Sequence, residues 1–252
     1  MKVRVCFSKT EAGRYLSHLD MTRTMERSLR RAKLPLAFSQ GYHPHLKMSF
    51  ASALAVGVTG RREYLDLELA EQVSMQRFSQ VLADALPPAL HFVSAQEIRN
   101  GAKSLSAMVN LSVVRFYGEM VEGDVEKIRY GIQQVLGEKE IWQKPKTKPG
   151  KKAAEAKEVR ALIRRIRIVE AEEAGEALDN NDASLWNDDA YTGLITVEAE
   201  LVLGNKGQLR PQDLWAMILR AGGLDTERPI QISRWALLIE REGKVFPPMD
   251  ED

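Results

Sequence analysis

The chain has 252 residues, 44% hydrophobic and 28% charged, with 36 Lys and Arg against 35 Asp and Glu. That composition belongs to a folded globular chain and excludes a disordered or fibrous one. The one cysteine, Cys6, excludes an internal disulfide framework and any four-cysteine zinc or iron–sulfur centre built by this chain alone. No uninterrupted apolar stretch approaches the roughly 18 residues of a membrane helix. The opening residues, Met1 to Phe7, alternate like a strand and lack an apolar signal core, so the expected location is cytoplasmic.

The net charge of +1 conceals segregation. Residues 1–62 carry twelve Lys and Arg but three acids, Glu11, Asp20 and Glu26; residues 144–167 carry ten against two; residues 170–200 carry ten acids and no Lys or Arg. Two basic blocks predict anion-binding faces.

In chain order, residues 2–8 alternate as a half-buried strand, with Val3, Val5 and Phe7 inward and Lys2, Arg4 and Cys6 outward. Ser17 with Asp20 three residues on forms a capping box opening a helix over 18–33, which ends before Pro35. Its apolar face is read as Leu19, Thr22, Met25, Leu29 and Ala32, and its other face as Arg23, Arg27, Arg30 and Arg31. A short strand at 36–39, a loop at Gly41-Tyr42-His43-Pro44-His45, an extended stretch at 47–52 and a strand at 63–69 follow. A helix over 73–86 stops at Pro87-Pro88, and a strand over 90–98 closes a β-α-β-β-α-β series.

After a polar linker at 99–106, a similar order recurs. It has a strand at 108–117, a helix over 123–136 and a strand opening at Ile141-Trp142. A Lys-rich mobile loop at 144–156, a stretch of mixed period at 159–169 and an acidic turn region at 175–189 come next. A strand at 194–203, a helix at 211–221 and a last strand at 230–239 complete it. The fold class read from this is α+β, with two ferredoxin-like (split βαβ) units in tandem at 1–100 and 107–245.

Three of the four histidines, His18, His43 and His45, cluster between residues 14 and 57. The row Arg23, Arg27, Arg30 and Arg31, with Lys47, suits phosphate oxygens, and Tyr42 and Phe38 suit base stacking. The plainer alternative is a solvated helix face. His18, following an N-cap, sits at the positive end of the helix dipole, which favours a neutral imidazole able to act as a general base; a structural role at the helix start is the simpler reading. His43 is the second candidate acid–base group. His18, His43, His45 and Asp20 together would make a three-nitrogen, one-oxygen set, but their spacing is not that of a metal motif, so no metal or cofactor is expected. Trp215 and Trp235 have apolar neighbours and read as core. No P-loop, dinucleotide-binding glycine fingerprint, nucleophile elbow or zinc-protease motif occurs.

The run Tyr15-Leu16-Ser17-His18-Leu19-Asp20 carries the sharpest signal. With Arg23, Arg27, Arg30-Arg31, Leu34-Pro35, Ser39-Gln40-Gly41-Tyr42, Pro44, Lys47, Ser49-Phe50, Leu54 and Val56-Gly57, it resembles the bacterial radical-SAM-linked protein family, a domain of unknown function. Lys157-Glu158-Val159-Arg160 and Leu209-Arg210-Pro211 fit the same family, while His45 and Arg160 depart from its pattern. The resemblance implies a partner, a cobalamin-binding radical SAM protein encoded beside or fused to the family member. A looser, architectural resemblance is to CRISPR repeat-processing endoribonucleases. The reading that combines these features is a noncatalytic RNA-binding accessory subunit that presents RNA for modification. The alternatives are a metal-independent endoribonuclease using His18 or His43, and a protein-only adaptor.

Overall fold

A computed structural model describes residues 1–99, 101–119, 121, 123–144, 155–169, 194–204 and 207–250. The acidic turn region at 175–189, with Trp186, and most of the Lys-rich loop lie outside the described residues. The chain is α+β. Its strands are β1 (Lys2–Lys9), β2 (Met48–Phe50), β3 (Val58–Glu68), β4 (Leu90–Ile98), β5 (Leu111–Gly118), β6 (Trp142–Gln143), β7 (Lys157–Glu158), β8 (Ile163–Val169), β9 (Ile195–Val202), β10 (Gln231–Arg241) and β11 (Lys244–Phe246). Its helices are α1 (His18–Arg31), α2 (Met75–Ala85), α3 (Leu105–Met108), α4 (Asp124–Gly137) and α5 (Pro211–Ala221). Two compact units result, one of Met1–Ser112 with Ser233–Asp252 and one of Val113–Ile232. Residues 233–245, read from the sequence as the end of a second contiguous half, thus pack with the first unit.

In the first unit the strands run β4-β1-β3, with β2 and β10 both on the far side of β3 and β11 on β10. The pairs β1–β3, β1–β4 and β2–β3 are antiparallel, so β1 to β4 with α1 and α2 have the split βαβ order. One face of this sheet is apolar. Val3, Val5, Phe7, Leu65 and Leu67 pack beneath Met21, Met25 and Leu29 of α1 and Phe78 and Leu82 of α2.

The opposite face is also covered, against the expectation of a half-solvated strand. Arg4, Cys6 and Ser8 are as buried as Val3 and Val5. Arg4 stands directly opposite Asp66 and donates from Nε to Oδ1 at 2.8 Å and from Nη2 to Oδ2 at 3.2 Å. Its Nη1 donates to the Pro248 carbonyl at 2.8 Å, and Gln96 Nε2 donates to Met249 O at 2.7 Å, so the C-terminal segment closes over this layer. The planar guanidinium satisfies carboxylate and carbonyl together, which lets three polar groups lie out of water.

The second unit contains β5-β9-β8 in that order, β8 and β9 antiparallel, with α4 and α5 packed on each other. Glycine permits that packing. A methyl group on Gly131 would lie 2.2 Å from Ile218 O, and one on Gly222 would lie 2.4 Å from Lys127 O. Phe116 of β5 stacks on Trp215 of α5 with centroids 5.3 Å apart. Glu198 accepts from Arg115 and Arg167, each at 2.9 Å. Burial opposes its charge, but the two guanidiniums more than offset this and hold its carboxyl below the usual range.

Asp66→Ala removes the carboxylate that faces the Arg4 guanidinium, itself 1% exposed. The expected loss is about 3–5 kcal/mol of unfolding free energy, read from urea denaturation; a loss within the range of surface substitutions would show that water reaches Arg4.

Candidate nucleic-acid interface

Helix α1 begins as its sequence dictates. Ser17 Oγ accepts from the Asp20 amide at 3.2 Å and donates to Asp20 Oδ2 at 2.6 Å. The buried stripe is Met21, Met25, Ser28 and Leu29, at spacings of four, three and one. Periodicity places Leu19 inward, but it is 57% exposed and lies on the arginine side. The phase is set by the two methionines, which reach the sheet, and not by the leucine in the first turn.

The four arginines have different surroundings. Arg23 and Arg27 are exposed and have no ion-pair partner among the described residues. Arg30 pairs with Glu26 one turn back at 2.8 Å, and its Cζ lies 5.2 Å from the centroid of Phe38. Arg31 has a structural role, since its guanidinium donates to Ala85 O at the end of α2 and to Ser28 Oγ. Lys47 pairs with Glu68 at 2.8 Å, both exposed. Exposed pairs such as those of Arg30 and Lys47 contribute little to stability and open readily to a phosphate.

The short strand expected at 36–39 is reduced to two isolated bridges, Leu36 with Leu69 and Phe38 with Leu46. The second closes a loop, in which the Ser39 amide donates to His45 O at 2.8 Å and the His45 amide to Ser39 Oγ at 2.9 Å. At its tip Tyr42 is 96% exposed and meets the His43 ring edge-to-face at 5.5 Å. His18 packs edge-to-face on Phe50 at 5.3 Å, and Phe50 on Phe7 at 5.9 Å. The structure therefore gives His18 and His43 separate aromatic neighbours. Neither imidazole has a side-chain hydrogen bond among the described residues, so neither is oriented by a third group as an acid–base pair would be. Among the described residues no three His, Cys, Asp or Glu side chains form a metal-sized group.

The sequence did not reveal what supports the start of α1. Lys9, fully buried, donates from Nζ to Leu16 O at 3.1 Å, just before the N-cap. Glu63 lies beside it and accepts from Arg234 Nε at 2.7 Å, with a second bond from Arg234 Nη2; Arg234 also donates to Ala53 O at 3.1 Å. Arg14 Nε donates to Gly57 O at 3.1 Å, fastening the 53–57 segment to the same place. Burial pulls the Lys9 ammonium down to about 8; Glu63 opposes the shift and Arg234 adds to it.

The family described as an uncharacterized protein conserved in bacteria (DUF2344) matches residues 2–211. The chain belongs to that family. No curated protein matches it. Among solved structures, a chain in the crystal structure of a Cbf5-Nop10-Gar1 complex is similar at 11% identity with a TM-score of 0.44, over 93% of this chain and 48% of that one. This chain thus spans about half the length of the solved chain it matches. No helix among the described residues is long and apolar enough to cross a membrane.

Between about pH 8 and 10 the folded protein has released the Lys9 proton that the unfolded chain, at its ordinary value of 10.5, still holds. Stability therefore rises with pH across that window, by about 1–3 kcal/mol relative to Lys9→Met, whose chain lacks the titration. Parallel denaturation of the two proteins at pH 7.5 and 10 tests this, and equal pH slopes would refute it.

Proposed function

We propose that this protein is a noncatalytic RNA-binding accessory subunit, and that the exposed face of α1 with the adjoining 39–45 loop is its RNA contact. The single observation that carries the proposal is the pair Arg23 and Arg27, one turn apart, exposed, and without a carboxylate to neutralise them among the described residues. Side chains spaced one helical turn apart can take successive phosphates, and a guanidinium binds a phosphate in bidentate fashion. Arg30 and Lys47 add charge after exchanging a surface carboxylate for a phosphate, and Tyr42 and Phe38 offer ring faces to unstacked bases. Arg31 contributes through the anchoring of α1 to α2.

In this reading His43 is a contact residue beside Tyr42, and His18 holds the helix start against Phe50. The partner is the cobalamin-binding radical SAM protein that the family resemblance implies, which would supply the chemistry of RNA modification. The exposed apolar residues Tyr15, Leu19 and Val56 favour a protein partner at the same end of α1, with or without RNA. Copurification that survives nuclease treatment would identify that contact as direct.

The test is a gel shift with structured and single-stranded RNA at two salt concentrations, run beside a denaturing gel. Arg23→Glu with Arg27→Glu is expected to weaken binding about tenfold or more at low salt, and to flatten its salt dependence, with the circular dichroism spectrum unchanged. Unchanged affinity would overturn the assignment. Shortened RNA, lost in His18→Ala, would replace it with the nuclease.

A further inference from the structure

The second unit holds a cavity of about 610 Å³ between the β6–β7 ladder and α5. At its rim is Trp142, 62% exposed. Leaving an indole in water forgoes the burial that a tryptophan ordinarily gains. The indole is nevertheless oriented, because Nε1 donates to Glu140 Oε2 at 3.0 Å. The polar edge of the ring is thereby satisfied within the protein, and its apolar face remains for a ligand.

Lys144, Lys157, Arg210 and Arg220 line the same cavity. All four are exposed, and none has an ion-pair partner among the described residues. Glu158, next to Lys157, keeps its charge but directs its oxygens to the backbone. It accepts from the backbone amides of Ile141, Arg160 and Ala161. Only Asp213 and Glu227 remain among the lining acids.

An oriented ring face beside a surplus of uncommitted cations matches one ligand chemistry, a flat base joined to phosphate. A duplex keeps its bases stacked inside and presents no face to an indole, whereas a single strand does. The volume suits about one nucleotide and part of its neighbour. An acidic peptide would use the cations but would leave the ring without a purpose.

We infer that this cavity is a single-stranded nucleic-acid subsite, in which Trp142 stacks one base and Lys144, Lys157, Arg210 and Arg220 neutralise the flanking phosphates. The inference rests on the reading of nucleic acid as the partner, but on residues that the α1 face does not use. It also gives Lys144 and Lys157 of the second basic block a role.

The experiment uses the full chain and a single-stranded oligouridylate, with affinity read by fluorescence anisotropy of the labelled RNA. Trp142→Ala is expected to weaken binding roughly five- to 150-fold, the range of one base–aromatic stack, and Trp142→Phe to restore most of it. Lys157→Glu with Arg210→Glu is expected to lower the salt slope by about 1.4. Duplex RNA is expected to be insensitive to Trp142→Ala. Wild-type affinity in both the tryptophan and the cation variants, while Arg23→Glu with Arg27→Glu binds weakly, would overturn the cavity and leave the α1 reading standing. Displacement of the oligonucleotide from that α1 variant by polyglutamate of matched charge would also overturn it. An unmutated chain that binds no RNA would remove both.

Discussion

The buried carboxylates of β3 are the constraint on which the first unit depends. Asp66 meets Arg4, and Glu63 meets Arg234. Taking four charges out of water is unfavourable unless each finds its counterpart with good geometry. The geometry is met only when β1, β3, β10 and the C-terminal segment are all in place, since β3 supplies both carboxylates and each of the others supplies one partner. These pairs therefore do more for register than for net stability. A one-residue slip of β1 against β3 would turn Arg4 toward Leu65 and Leu67 and leave Asp66 unmatched. On the other face of β3, that of Phe7 and Leu65, Glu63 lies beside Lys9, which holds the carbonyl of Leu16, from which α1 starts.

The elements with one dominant local signal were legible. The capping box at Ser17 and Asp20, the Pro87-Pro88 stop, Pro211 at the first turn of α5 and the strand at 90–98 are each fixed by residues close in sequence, and each is found where it was expected. Residues 159–169, of mixed period, form a short 3-10 turn over Arg160–Leu162 and then β8. The turn depends on Glu158 accepting three backbone amides, a side-chain effect that hydrophobic periodicity does not register. The helix α3 and the strand β11 were not foreseen, because each is too short to complete a period.

A charged side chain in an alternating strand is not by itself a sign of solvent. Alternation places Arg4 outward, yet it is nearly inaccessible, and so are Glu63, Asp66 and Arg234. The partner of each lies at least 62 positions away, so no local window could reveal it. The arginine stripe of α1 was legible as a stripe, but its division was not. Which arginines are occupied depends on Glu26, Phe38 and the end of α2. Trp142 read as an ordinary strand residue because exposure is a property of the assembled unit.

The closure of the first unit by Pro248 and Met249 has a consequence for the order of events during synthesis. The 120 residues of Val113–Ile232 emerge between the two parts of that unit. At about 5–20 residues per second, the N-terminal part waits on the order of ten seconds for the segment that covers Arg4 and supplies Arg234. During that interval the part of β3 that pairs with β10 is uncovered and Glu63 has Lys9 but not Arg234 beside it, while the intervening unit has all of its own residues. The nascent chain is thus open along the part of β3 that β10 later covers.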